Sequence, residues 1–205
     1  MNDLILEFGV MDGMSLRQLC KRFPDKTIYG FDSFSGIREK WNGHSAGDFA
    51  CKIPKRLPLN AKLIIGWIED TLPLFLKDHP ENIAFVHIDT DTYSCASFIL
   101  ETIKDRLIPG SVILFDEYWN YPGYEKYEYK AWQEFLVKYP NIQVFQASEC
   151  IKMIRRRFRD YPIGRLLHPI RIIQSLSQRV YGRLSNRKPM QMAFRIAWIN
   201  SKGVI

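Results

Sequence analysis

Short, almost wholly apolar runs recur through the first 150 residues, and the segments between them carry apolar residues at helical spacing. "LILEFG" (4–9), "TIYGFD" (27–32), "AKLIIG" (61–66), "IAFVHID" (83–89), "GSVILFD" (110–116) and "IQVFQA" (142–147) read as strands, with "QMAFRIAWI" (191–199) as a last one. They do not alternate apolar with polar, which is the signature of strands buried on both faces. Leu16, Leu19, Cys20 and Phe23 fall at i, i+3, i+4 and i+7, as do Ala96, Ile99, Leu100 and Ile103; Trp132, Phe135, Leu136 and Tyr139 repeat the spacing. Asp70-Thr71 ahead of Pro73 predicts a helix start with the proline at or near its first turn. Strands alternating with helices predict βαβ units, hence an α/β fold with a mostly parallel sheet covered on both sides. Residues 33–60 break the rhythm with Gly36, Gly43, Gly47, Pro54 and Pro58. A connection of that length is either functional or poorly ordered.

A chain of 205 residues is expected to form one domain over 1–205. Its 46% hydrophobic and 25% charged residues describe a folded protein. No apolar run approaches the roughly 20 residues of a membrane-spanning helix. "MNDLILEFGV" lacks the basic start and cleavage site of a signal peptide, so none is expected. Cys20, Cys51, Cys95 and Cys150 stand far apart, which argues against a zinc site or a disulfide framework and suits a reducing, cytoplasmic setting. The net charge of +7 is local: residues 151–190 hold eleven lysines and arginines against Asp160 alone, and the rest of the chain is slightly acidic.

Open α/β sheets bind ligands at the carboxyl ends of their strands, so the chemistry is sought there. The first end gives Glu7, Gly9 and Gly13, where glycines permit a tight turn and an acidic side chain can meet a cationic ligand group. The second gives Asp32 with Ser33, placed for ribose hydroxyls. Gly66, Trp67 and Ile68 offer a flat wall for an adenine, although Trp67 reads equally well as core. The fourth and fifth ends give Asp89 and Asp91, then Asp116 and Glu117. Converging buried carboxylates repel unless a cation joins them, and oxygen ligands favour Mg²⁺, Mn²⁺ or Ca²⁺. Asp91 reads either as cap of the helix beginning near Tyr93 or as a site residue. His87 is read as a base or as an interior histidine.

Together Glu7-x-Gly9-x-x-x-Gly13, "GFDSFSGI", "GWIEDTLP", "HIDTDTYS", "PGSVILFDEY" and "GYEKYEYKAWQEF" resemble class I S-adenosylmethionine-dependent methyltransferases, specifically the macrocin O-methyltransferase type. The resemblance runs from about residue 4 to 147 and resumes at 191–199. It implies a Rossmann-like, seven-stranded sheet of order 3-2-1-4-5-7-6 with an antiparallel last strand. It implies methyl transfer to a hydroxyl of a sugar or other small natural-product acceptor. Glu7 and Gly9 would lie along the methionine part of S-adenosylmethionine, Asp32 would take the ribose, and Gly66, Trp67 and Ile68 the adenine edge, with Gly13, Ser33 and Asp89 also counted among the cofactor-binding residues. Asp89, Asp116 and Glu117 fall where the family holds Mg²⁺, with Asp91 and then His87 as candidate bases. The chain departs from the family in starting its first strand by residue 4, so a covering N-terminal helical segment is expected to be short or missing. Two other classes compete: an NAD-dependent oxidoreductase, which lacks the leading glycine of the dinucleotide turn, and a cofactor-binding scaffold without activity.

In the basic segment, Ile172, Ile173, Leu176, Val180 and Leu184 form one helical face opposite Arg171 and Arg179. Three roles are read for it: a face packed on its own domain, a peripheral contact with an anionic membrane or substrate, and a homodimer contact. No RNA-binding motif accompanies the charge, so nucleic acid is not expected as a partner.

Overall fold

The computed structural model describes residues 3–146 and 192–199. Its strands are β1 (Leu4–Phe8), β2 (Ile28–Asp32), β3 (Ala61–Ile65), β4 (Ile83–Ile88), β5 (Leu107–Phe115), β6 (Ile142–Gln146) and β7 (Met192–Ile199). Four helices intervene: α1 (Met14–Arg22), α2 (Ile68–Asp78), α3 (Tyr93–Ile103) and α4 (Glu128–Lys138). The sheet order is β3-β2-β1-β4-β5-β7-β6. β1 to β5 pair in parallel, and β7 lies antiparallel between β5 and β6.

The period of two explains why the strands look uniformly apolar. Leu4, Leu6 and Phe8 face the core built with α2, α3 and α4, whereas Ile5 faces the core built with α1. β5 divides in the same way, Ile113 and Phe115 to one side, Val112 and Leu114 to the other. Burial on both faces favours branched and aromatic residues at every position. Strand order reverses beside β1, with β2 on one side and β4 on the other, which opens the crevice at their carboxyl ends.

α2 departs from the expected start. It begins at Ile68, with Trp67 in an extended conformation ahead of it, and Pro73 lies inside the helix. The earlier start buries Ile68 along with Leu72, Phe75 and Leu76, and that apolar stripe outweighs the local signal of Asp70-Thr71. Glu69 and Asp70 then occupy the first turn, where negative charge suits the helix dipole.

Residues 33–60 are ordered by their own contacts. Ile37 and Gly47 to Asp48 clasp each other through backbone bonds, and Trp41 is buried. The phenol of Tyr127 accepts from the Asn42 N–H at 3.0 Å, tying this loop to the start of α4. The basic segment 151–190 and its amphipathic helical face lie outside the described residues.

Candidate active site

A cavity of about 360 Å³ opens at the carboxyl ends of β1, β2 and β4, roofed by the 33–60 loop. Backbone geometry builds its floor. Gly9 has φ +89°, and a Cβ there would lie 1.8 Å from the Asp89 carbonyl oxygen. Only glycine lets the loop after β1 pass so close to the loop after β4. The two are stitched by the Asp89 N–H donating to Phe8 O at 2.8 Å.

Gly9, Asp32, Ser33, Trp67, Ile68, Asp89, Asp91 and Glu117 all line the cavity. Asp32 spends its carboxylate on the backbone: Oδ2 accepts from Val10 and Met11 N–H at 2.8 Å each, and Oδ1 from Phe34 N–H at 2.7 Å. Three of roughly four acceptor positions are therefore filled, leaving one for a ligand hydroxyl. Trp67 is half-buried, and the Arg38 guanidinium sits 4.1 Å over its ring. Of its two readings, the cavity wall is the one the geometry supports.

Several expected positions lie elsewhere. Glu7 is fully buried and does not reach the cavity. β1 and β4 pair in register at Glu7 and His87, so the two side chains share a face, and Glu7 Oε1 lies 3.0 Å from His87 Nδ1. The partner that Glu7 meets is thus the chain's own imidazole. Gly13 caps α1 with φ +77° outside the cavity wall, and Asp12 Oδ1 accepts the Met14 N–H at the start of that helix. Gly66 also stands back from the cavity; its φ of +141° turns the chain so that Trp67 faces inward. Asp91 is not the α3 cap, because Thr92 holds that position and no side chain caps the helix. Instead Asp91 takes the left-handed φ of +63° and turns into the cavity.

Among the described residues, His87, Asp89 and Asp116 bring ligand atoms within 4.8 Å of one another. Glu117 is not part of that group: consecutive side chains diverge as the chain leaves β5, so Glu117 faces the cavity while Asp116 lies 3.7 Å from His87 Nε2. The carboxylates push one another out of the ordinary range. Burial and Asp116 raise Asp89 well above it, and raise Asp91 to about 7 and Glu117 to about 8. Burial acts against the charged form of His87, but the Asp116 and Glu7 carboxylates outweigh it and hold the ring well above its usual value.

Five wall or supporting residues had no signal in spacing. Glu128, the first residue of α4, is fully buried; its Oε1 accepts the Thr90 N–H at 3.2 Å between Asp89 and Asp91, and its Oε2 has no partner. Burial and Asp91 raise its carboxyl well above normal. Trp41, His44 and Arg38 enter the cavity from the roof loop. Cys95 on α3 completes the wall, its thiol pushed up to about 12 by burial and by Glu69.

The fold is similar to that of CalS11, a calicheamicin methyltransferase, at 22% identity over 78% of this chain and 69% of that one, with a TM-score of 0.55. It is also similar to the O-methyltransferase NovP, at 22% identity over 71% of this chain and 67% of that one, with a TM-score of 0.51. A sequence search of curated proteins returns no match. The family model described as "Methyltransferase domain" matches residues 6–118, which run from β1 past Glu117 and include every carboxylate at the strand ends, and the chain belongs to that methyltransferase family.

Proposed function

We propose that this methyltransferase uses S-adenosylmethionine to methylate a hydroxyl of a sugar or similar small natural-product acceptor, assisted by Mg²⁺. The observation that carries this reading is the meeting of Asp89 and Asp116 at the edge of the cavity walled by Asp32, Trp67 and Ile68. Membership of a methyltransferase family removes the oxidoreductase alternative.

The residues fit both groups. S-adenosylmethionine supplies an activated methyl on a sulfonium. Trp67 and Ile68 offer its adenine an apolar surface, Asp32 retains one acceptor position for a ribose hydroxyl, and Gly9 lets the loops after β1 and β4 close tightly to form the floor. For Mg²⁺ the test is the donor set. Asp89 and Asp116 provide hard oxygens that meet, and Glu117, outside that group, faces the cavity with its Oε2 lacking a hydrogen-bond partner. A cation bound there would lower the pKa of an acceptor hydroxyl and offset the repulsion among the carboxylates.

The chain's own groups do the positioning. Glu7 and His87 lie beneath the floor and brace Asp116 from behind. Glu128 fixes the Thr90 backbone and with it the spacing of Asp89 and Asp91. Asp91, on the wall, is placed to accept a hydrogen bond from the acceptor. Phe49, exposed on the same wall, offers a ring on which a sugar or aromatic acceptor stacks, with Trp41 behind it. The aromatic run after β5 supports the same wall, with Tyr121 and Tyr127 packed on Trp41 at 5.9 and 6.2 Å.

Isothermal titration with S-adenosylmethionine, NAD and Mg²⁺, followed by radiolabelled methyl transfer to a panel of glycosylated and catechol-like acceptors, tests the proposal. Binding of S-adenosylmethionine and transfer to a panel hydroxyl is the expected result. Tight NAD binding without a response to S-adenosylmethionine would overturn it, and binding without any transfer would favour a scaffold.

A further inference from the structure

We propose that His44, oriented by Asp48, is the general base that takes the proton from the acceptor hydroxyl; the inference rests on the O-methyl transfer reading above. The placement of this ring is over-determined. Asn42 and Gly43 have φ of +40° and +92°, the left-handed pair of a two-residue hairpin turn, and the dipeptide Asn-Gly is well suited to it. Trp41 and His44 flank that turn as a bridged pair, each N–H donating to the other's carbonyl. The imidazole stacks on Trp41 with centroids 5.5 Å apart and an interplanar angle of 18°, and lies 4.6 Å from Phe49.

Asp48 completes a dyad. Its Oδ2 is 3.2 Å from His44 Nδ1 and also accepts the Ser45 N–H at 3.0 Å, while its backbone is clasped to Ile37. With Nδ1 engaged by the carboxylate, Nε2 is the nitrogen left for chemistry on a ring that lines the cavity. A base whose far nitrogen is oriented by a carboxylate is a recurrent device for proton abstraction. His44 and Asp91 line the same cavity, so the dyad and the acidic wall bracket one space.

The other candidates are worse placed. His87 is 2% exposed, behind the wall, with Nδ1 on Glu7 and Nε2 toward Asp116. Asp91 sits among carboxylates, where it can hold the hydroxyl but has no group to orient it. His44 is 44% exposed along its side chain, so water can carry the proton away after each turnover. In the step, the acceptor O–H bond breaks and its proton passes to Nε2. The oxygen bonds the methyl carbon as the carbon–sulfur bond breaks, and sulfur keeps that electron pair, becoming a neutral thioether.

The test uses the full chain with the acceptor that the panel identifies. His44→Gln is expected to lower kcat by roughly 10²–10⁴-fold, with S-adenosylhomocysteine affinity unchanged by calorimetry. Added imidazole should restore part of the kcat of His44→Ala, which a structural role would not allow. Asp48→Asn should lower kcat at least about tenfold, and have no further effect in the His44→Ala background. Transfer that survives His44→Gln overturns this role and leaves the O-methyltransferase reading standing. Absence of transfer by the wild-type protein to any panel member overturns both.

Discussion

Replacing Glu117 by glutamine should make the metal-free protein more stable at alkaline pH, although a buried, site-facing side chain is being altered. Burial and the neighbouring Asp116 move its carboxyl from 4.5 to about 8. Between those values the folded chain keeps a proton that the unfolded chain has released. Stability contributed by this group is complete below pH 4.5, falls as pH rises, and is lost beyond 8. The displacement corresponds to on the order of 4 kcal/mol at pH 9. Glutamine occupies the same volume without the charge, so the variant escapes that loss. Asp91, raised to about 7, acts in the same direction, and because both respond to Asp116 their losses are not additive. Urea unfolding at pH 5, 7 and 9 in the presence of a chelator measures the difference. The wild-type protein should lose more stability from pH 5 to 9 than Glu117→Gln does, by about 2–4 kcal/mol. Millimolar Mg²⁺ should recover more of that loss in the wild type than in the variant. Superimposable pH profiles for the two proteins in chelator would refute the reasoning, because the charge of Glu117 would then carry no cost in the fold.

Three further outcomes are expected. Gly9→Ala places a methyl 1.8 Å from the Asp89 carbonyl at a positive φ, so it should destabilise the fold by at least ~1–2 kcal/mol and abolish S-adenosylhomocysteine binding, read by thermal melts and calorimetry. Asp116→Ala should remove the Mg²⁺ dependence of methyl transfer while leaving S-adenosylmethionine affinity within a few-fold; normal turnover in that variant would exclude Asp116 as a ligand. Asn60→Ala is a structural control: its Nδ2 donates to the carbonyls of Cys20, Phe23 and Lys26 at the end of α1, so about 1–3 kcal/mol of stability should be lost without a change in cofactor affinity.

What the sequence shows and what it hides follow from the range of the interactions involved. The strands were legible because burial on both faces leaves a run of apolar residues that no local effect disguises. The carboxylates of Asp89 and Asp116 were legible because both stand at strand ends, where the topology alone brings them together. The partner of Glu7 was hidden because it is set by cross-strand register: His87 lies beside it across β1 and β4, eighty residues away in the chain. Asp91 stayed open between helix cap and site residue because spacing cannot reveal a left-handed φ at a non-glycine residue. The true start of α2 was hidden by the same limitation, since burial of Ile68 overrides a respectable local signal. Glu128 and the His44–Asp48 dyad come from a loop and a helix end whose partners are fixed only once the roof closes on the sheet.

A cavity that holds an activated methyl exposes its own walls to alkylation. Cys95 is part of that wall. As a thiolate it would be a stronger nucleophile than any sugar hydroxyl and would trap the group irreversibly as S-methylcysteine. Burial and the Glu69 carboxylate keep the sulfur protonated up to about pH 12, so it does not compete. In the proposed reaction, the burial that closes this wall would also keep its sulfur from competing with the acceptor for the methyl group.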